Sequence, residues 1–279
     1  MKNMSQSTDP QFPPHENTPL ITTAQPGSAY LLESITGEEI SSNLKPLDKI
    51  NGYDVRPGFY EVNGASALPG GVNFTLASHG ATSCELLLFH RKSSEPFTSI
   101  PFPEHYRIGN VFSMIVFGLK IDEFEYAYRL DGPYQPEKGL IYDKTKYILD
   151  PYAKAVTGQS EWGIHLPCTQ NCQYKSRVVR NNFDWGNSKQ PLIPMKDNII
   201  YELHVRGFTR HSSSGVHNPG TFAGLMEKIP YLKELGINAV ELMPIFEFDE
   251  MNGCREVNGR KLLDYWGYNP VCFFAPNTS

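Results

Sequence analysis

The sequence predicts a β-sandwich followed by the opening of an α/β domain. Three observations carry this. Between Asn51 and Gly158, short runs rich in β-branched and aromatic residues are separated by Gly/Pro turns, the pattern of antiparallel strands in a sandwich. After Lys196 the pattern becomes strand, helix, strand within about 45 residues, the length of one right-handed βαβ crossover. Before both lies a polar stretch scattered with Pro10, Pro13, Pro14, Pro19 and Pro26, too poor in apolar periodicity to build a core.

Composition narrows the function classes. The chain has 279 residues, 40% hydrophobic and 20% charged, a globular balance. Its formal net charge of −5 is not the basic footprint of a nucleic-acid binder. No apolar run approaches the ~18 residues of a membrane-spanning helix. Met1–Ser5 leads into polar sequence without the apolar stretch of a secretory signal. The five cysteines, Cys84, Cys168, Cys172, Cys254 and Cys272, are odd in number and sparse, as expected of reduced thiols in a cytoplasm. Cys168 and Cys172 form a close pair without a second Cys/His pair at zinc-site spacing, so no metal site is expected.

The elements follow in order. Residues 1–48 read as a flexible arm, and residues 49–158 as the sandwich. Val72–Leu76 alternates apolar and polar side chains after a Gly70–Gly71 turn, which predicts a half-buried strand. Cys84–Phe89 and Ser113–Phe117 are apolar runs suited to buried strands. Phe124–Leu130 alternates again and meets the turn Asp131-Gly132-Pro133. Residues 159–195, with Trp162 and Trp185, read as an irregular connector.

The α/β segment occupies residues 196–279. Asn198–Val205 reads as a buried strand. Thr221 is a plausible helix N-cap, and Phe222, Leu225, Ile229 and Leu232 share one helical face. Pro230 must kink that helix or open a second one at its first turn. Gly236 suits the helix end, and Ala239–Met243 reads as a second strand, stopped by Pro244.

These residues carry a resemblance. Tyr201-Glu-Leu-His204-Val-Arg206-Gly-Phe208 resembles the first barrel strand of the α-amylase superfamily, glycoside hydrolase family 13. Leu232–Pro244 resembles the second strand with its preceding helix, and Tyr265-Trp-Gly-Tyr268-Asn-Pro270 the next segment of isoamylase-type, glycogen-debranching members. Upstream, Leu68–Phe74, Asp131-Gly-Pro-Tyr134 and Leu149-Asp150-Pro-Tyr-Ala-Lys154 are similar to a family-48 carbohydrate-binding module. The implied fold class is multidomain: an immunoglobulin-like carbohydrate-binding β-sandwich, then the first strands and helix of a truncated (β/α)8 TIM barrel. Residues 196–279 number 84, against about 250 for a whole barrel.

The implied activity is hydrolysis of α-1,6-glucosidic branch linkages in glycogen or amylopectin, with retention. That reaction takes two carboxyl groups about 5 Å apart. In the family they and a third acid stand on later barrel strands, beyond Ser279, so no catalytic residue is assigned here and the 279 residues alone are expected to be inactive. Glu241, Glu247, Asp249 and Glu250 are expected to be solvated loop charges. Tyr268 matches the family's aromatic platform for a sugar ring, whose C–H face packs on a flat apolar ring. Trp266 and Asn269 are placed beside it as substrate-binding residues. His204 is expected as a satisfied histidine at the first strand's end, near Arg206. Phe112 stands about where the family's module often has Trp, and Tyr126, Tyr128 and Tyr134 are expected to be core or interface aromatics. The implied partner is branched α-glucan, with no cofactor, no nucleic acid, no membrane and a cytoplasmic setting. The alternative is a non-catalytic glucan-binding or regulatory subunit.

Overall fold

The structure, a computed structural model, describes residues 44–158, 161–164, 174–180 and 182–278. The proline-scattered arm up to residue 43, together with Cys168 and Cys172, lies outside the described residues.

The strands are, in order, Asp48–Ile50 (β1), Tyr53–Pro57 (β2), Gly64–Leu68 (β3), Gly71–Ala77 (β4), Ser83–His90 (β5), Pro96–Pro101 (β6), Arg107–Ile108 (β7), Val111–Phe117 (β8) and Phe124–Asp131 (β9). A small hairpin of Tyr134–Gln135 (β10) and Leu140–Ile141 (β11) follows, then Ala155–Thr157 (β12) and Lys175–Arg177 (β13). One antiparallel sheet runs β1-β2-β8-β4-β3, with β7 paired to β8; the facing sheet runs β12-β13-β9-β5-β6. Lys175–Arg177 thus joins the second sheet from within the stretch read as a connector, with Ser176 opposite Tyr126.

Strand alternation builds the core. Val72, Phe74 and Leu76 on β4, and Phe112, Met114 and Val116 on β8, face Leu86 and Leu88 on β5 and Tyr126 and Tyr128 on β9 in one buried cluster. Phe74 meets Tyr126 edge-on at 5.2 Å. Truncating a ring of this kind to Ala costs about 3–5 kcal/mol.

β4 is buried on both faces rather than half-buried. Residues around Phe59 lie over its outer face and satisfy its polar side chains. Asn73 Oδ1 accepts the Phe59 amide at 2.8 Å, and Thr75 Oγ1 donates to the Phe59 carbonyl at 3.0 Å. The cover needs Gly58, where a Cβ would fall 2.3 Å from Ser113 Oγ.

Beyond Asn198 come Ile200–Leu203 (β14), helices Val205–Arg210 (α1), Phe222–Glu227 (α2) and Ile229–Glu234 (α3), and Ala239–Leu242 (β15). β14 and β15 pair in parallel, Ile200 opposite Ala239 through Leu203 opposite Leu242. Thr221 caps α2 by accepting the Gly224 amide at 3.1 Å. Pro230 opens α3 in its first turn, so the helical face divides into two helices at Lys228. The first strand ends two residues earlier than its apolar run, because Val205 is already helical. Nor is it buried throughout: Leu203 is, whereas Ile200 is exposed.

The last elements are Phe246–Phe248 (β16), the hairpin Arg255–Val257 (β17) and Arg260–Leu262 (β18), and Pro270–Pro276 (β19), which pairs with β16. β19 fastens this unit to the sandwich. Cys272 and Ala275 pack with Ala153 and Val156. The Cys272 thiol donates to the Ala153 carbonyl at 3.2 Å, and Phe274 stacks on Tyr152. The other end of this joint is Asp150, fully buried. Its carboxylate accepts the Tyr126 hydroxyl at 2.7 Å and the Tyr152 amide at 2.8 Å. Burial nevertheless raises its pKa to about 6.

Candidate functional site

The C-terminal ends of β14 and β15 organise the site. Where β14 ends, His204 is extended and its Nδ1 accepts the Gly207 amide at 3.0 Å, capping α1. An accepting Nδ1 carries no proton, so the neutral ring holds its proton on Nε2. Nε2 donates to the Tyr265 carbonyl at 2.8 Å. The imidazole also lies flat on the Tyr265 ring, 4.2 Å between centroids and 9° between planes, and meets Trp266 edge-on at 6.0 Å.

The segment from Asp264 to Asn269 connects β18 to β19. Asp264 Oδ1 accepts the Trp266 amide at 3.1 Å and the Gly267 amide at 3.3 Å. Gly267 has φ +78° and sits against Phe248, where a Cβ would come within 2.9 Å of the ring. This tight turn presents Tyr268 with 69% of its surface exposed and Trp266 with 53%. Asn269 beside them is half-buried.

A separate pocket of about 170 Å³ opens next to this segment, bounded in part by Trp162, His204, Arg206, Phe222, Phe248 and Thr278. The Arg206 guanidinium stands 4.0 Å from the Trp162 ring centroid. Tyr268, Trp266 and Asn269 do not line this pocket. His204 and Phe248 border the pocket and also touch the segment. Among the described residues, no group of three or more His, Cys, Asp or Glu is arranged to hold a metal ion.

The acidic loop differs from the expectation of solvated charges. Glu241 is exposed, but Glu247, Asp249 and Glu250 are buried. Each serves as an acceptor for a neighbouring segment. Glu247 takes the Thr278 amide at 3.2 Å and the Thr278 hydroxyl at 2.9 Å. Asp249 takes the Met251 amide at 2.9 Å and the Tyr174 hydroxyl. Glu250 takes the Gly163 amide at 2.7 Å. Burial, reinforced by the two neighbouring carboxylates, raises the Glu247 pKa to about 7 even though Thr278 pulls it down. Sequence reading missed this because most of the partners, the Gly163 and Thr278 amides and the Thr278 and Tyr174 hydroxyls, come from segments 31 to 87 residues away and leave no local pattern to see.

Aromatic placement in the sandwich also divides. Tyr126 and Tyr128 are core, but Tyr134 is 71% exposed, on the β10–β11 hairpin opposite Ile141. Phe112 is only 2% exposed, beneath the Arg107 guanidinium. It packs in the core and offers no sugar platform.

Residues 62–153 match the family of carbohydrate-binding module 48, the isoamylase N-terminal domain. The chloroplastic isoamylase SU1 of Zea mays is 39% identical over 220 residues, spanning 76% of this chain and 28% of that protein. The chain is similar to the N-terminal region of isoamylase-type debranching enzymes. A glycogen debranching enzyme of Yersinia enterocolitica is 34% identical over 218 residues, spanning 74% of this chain and 32% of the relative. The chain therefore spans about a third or less of the curated relatives' length. Among solved structures, a type I pullulanase from Bacillus subtilis complexed with maltose superposes with a TM-score of 0.56 at 26% identity. That match covers 79% of this chain and 28% of the pullulanase. In this isoamylase-type region, the match to the module ends at residue 153, within the joint that Asp150 and Cys272 form.

Proposed function

We propose that this chain is the N-terminal portion of a glycogen debranching enzyme that hydrolyses α-1,6-glucosidic branch linkages in glycogen and amylopectin with retention. The observation that carries the reading is a module-48 sandwich joined through β19 to a parallel βαβ unit, with the segment that presents Trp266 and Tyr268 outward tied to the end of β14 through His204. On this reading β14, α2, α3 and β15 open a (β/α)8 barrel. The aromatic segment then lies on the face where such barrels bind substrate, at the C-terminal ends of the strands. Tyr268 is the sugar platform, with Trp266 and Asn269 beside it. The domain division follows: sandwich from residue 49, barrel from residue 196, and a connector that returns β13 to the sandwich. The setting is cytoplasmic, and localisation of a tagged chain tests that.

The carboxyl groups present do not suit the chemistry. A retaining hydrolase holds its nucleophile and acid on opposite sides of the scissile bond, about 5 Å apart. Glu247, Asp249 and Glu250 come from one short segment and are committed to protein amides and hydroxyls. The 279 residues alone therefore bind glucan without cleaving it.

The test is calorimetric titration of the purified chain with maltotriose, alongside a reducing-end assay on glycogen. Binding that weakens about three- to tenfold in Tyr268→Ala, as loss of an aromatic contact worth about 0.5–1.5 kcal/mol requires, supports the reading. Linear chains released from glycogen would show that the carboxylates here are sufficient. Glycogen binding that ignores Tyr268→Ala and Trp266→Ala would favour a docking subunit that binds through the sandwich.

A further inference from the structure

We propose that His204 is a positioning residue for the sugar platform: its imidazole bridges the end of β14 to the Tyr265–Tyr268 segment and sets where the Tyr268 ring stands. The proposal rests on the glucan reading of Tyr268 for its functional consequence, but its structural half stands independently.

Two bonds fix the ring from opposite sides. Nδ1 accepts the Gly207 amide at 3.0 Å and Nε2 donates to the Tyr265 carbonyl at 2.8 Å. A ring held at both nitrogens has one tautomer and one orientation. It is then a rigid strut between α1 and a segment some 60 residues later in sequence. The stacked Tyr265 ring doubles the link, since it lies parallel to the imidazole. Trp266 packs edge-on against both rings, at 6.0 Å from His204 and 5.6 Å from Tyr265.

The surroundings are cut to fit this stack. Gly207 has no side chain, and a Cβ there would lie 2.2 Å from the Tyr265 hydroxyl oxygen. Gly267 likewise gives way to Phe248. The segment is therefore held at Tyr265 by His204, at Trp266 and Gly267 by Asp264, and at Gly267 by Phe248. Among these, the bond from His204 Nε2 ties the segment directly to the end of the parallel strand β14. Sub-ångström placement matters for a platform, because binding geometry relaxes when the supporting residues are loose.

His204→Asn separates the two roles of the ring. Asn is a good N-cap and can keep the bond to the Gly207 amide, but it is too short to reach the Tyr265 carbonyl as well. Gly207→Ala provides the second arm: its Cβ would clash with the Tyr265 hydroxyl at 2.2 Å while meeting His204 Nδ1 at only an ordinary contact distance of 3.6 Å. His211→Asn is the matched control: His211 caps the next turn through its own Nδ1, accepting the Ser213 amide at 3.2 Å.

The full 279-residue chain is labelled with fluorotryptophan. Its three tryptophans give three resonances, with Trp266 assigned by Trp266→Phe. In His204→Asn and Gly207→Ala the Trp266 signal is expected to shift or broaden, and maltotriose affinity to fall about fivefold, the loss of one net hydrogen bond. His211→Asn leaves both readouts at wild-type values. A Trp266 signal and a maltotriose affinity unchanged in His204→Asn would overturn the proposal. If wild type does not bind maltotriose, the glucan reading fails, and the Trp266 signal alone decides whether His204 holds the segment.

Discussion

Glu247 offers a pH experiment whose sign is set by the structure. Its side chain is 1% exposed, beside Asp249 and Glu250, and it faces Tyr174, Cys272, Asn277 and Thr278. Its carboxyl titrates near 7 in the fold, against 4.5 in an open chain. Folding therefore favours the protonated form. The stabilisation is complete below about pH 4.5 and is lost as pH rises through about 7. That gap amounts to about 3 kcal/mol in all, of which roughly 1 falls between pH 6 and pH 8. Asp150 acts in the same direction, but with a folded pKa of about 6 most of its effect lies below that window. Urea unfolding at pH 6, 7 and 8 is the assay, read by tryptophan fluorescence, because Trp162 packs edge-on to Phe248 next to Glu247. The wild-type midpoint is expected to fall by about 0.5 M across the window for a slope near 2 kcal/mol/M. In Glu247→Gln the amide keeps an acceptor for Thr278 without the titration, so most of that fall disappears. A wild-type midpoint that rises with pH, or a Glu247→Gln profile parallel to wild type, would refute the assignment of the buried carboxyl.

Other expectations follow from single contacts. Tyr126→Phe removes the 2.7 Å hydroxyl bond to buried Asp150 and should cost about 1.5–3 kcal/mol in urea unfolding, the range for a hydrogen bond to a charged group. Gly132→Ala places a Cβ 2.7 Å from the Tyr142 ring; displacing the ring should cost about 1–3 kcal/mol, seen as a lower thermal midpoint. In native buffer, a thiol reagent followed by peptide mapping should modify half-buried Cys254 well before buried Cys84 and Cys272, and burial pushes the thiols of both buried cysteines up, further slowing thiolate chemistry.

Much of the sandwich was legible because strand alternation is a local signal. Cys84–Phe89, Ser113–Phe117 and Phe124–Leu130 all appear within strands of the described sheets. The cap at Thr221 and the break at Pro230 were equally local, one a side-chain acceptor and the other a missing donor. Where the reading departed, a distant segment was responsible. The outer face of β4 is covered by residues around Phe59, the buried carboxylates of the acidic loop accept amides at 163 and 278, and β13 is recruited from a stretch with little pattern. Tyr134 is not in the core because it sits on a two-stranded hairpin that leaves its ring outside.

For the candidate site, the aromatic residues were visible in sequence, but their support was not. Tyr268 and Trp266 can be picked out because the segment Tyr265-Trp-Gly-Tyr268-Asn-Pro270 resembles that of isoamylase-type members. Nothing in the spacing of His204 and Tyr265 announces that they stack, or that Gly207 is vacant for the tyrosine hydroxyl. Sequence alone determined the division into sandwich and α/β segment, the alternation that makes the sandwich strands and the strand, helix, strand order of the parallel pair, since each follows from interactions within a few residues. Tertiary structure decided which charges are buried, which rings are bare and how β19 joins the two units, because these depend on desolvation and on hydrogen bonds closed between segments up to about 120 residues apart.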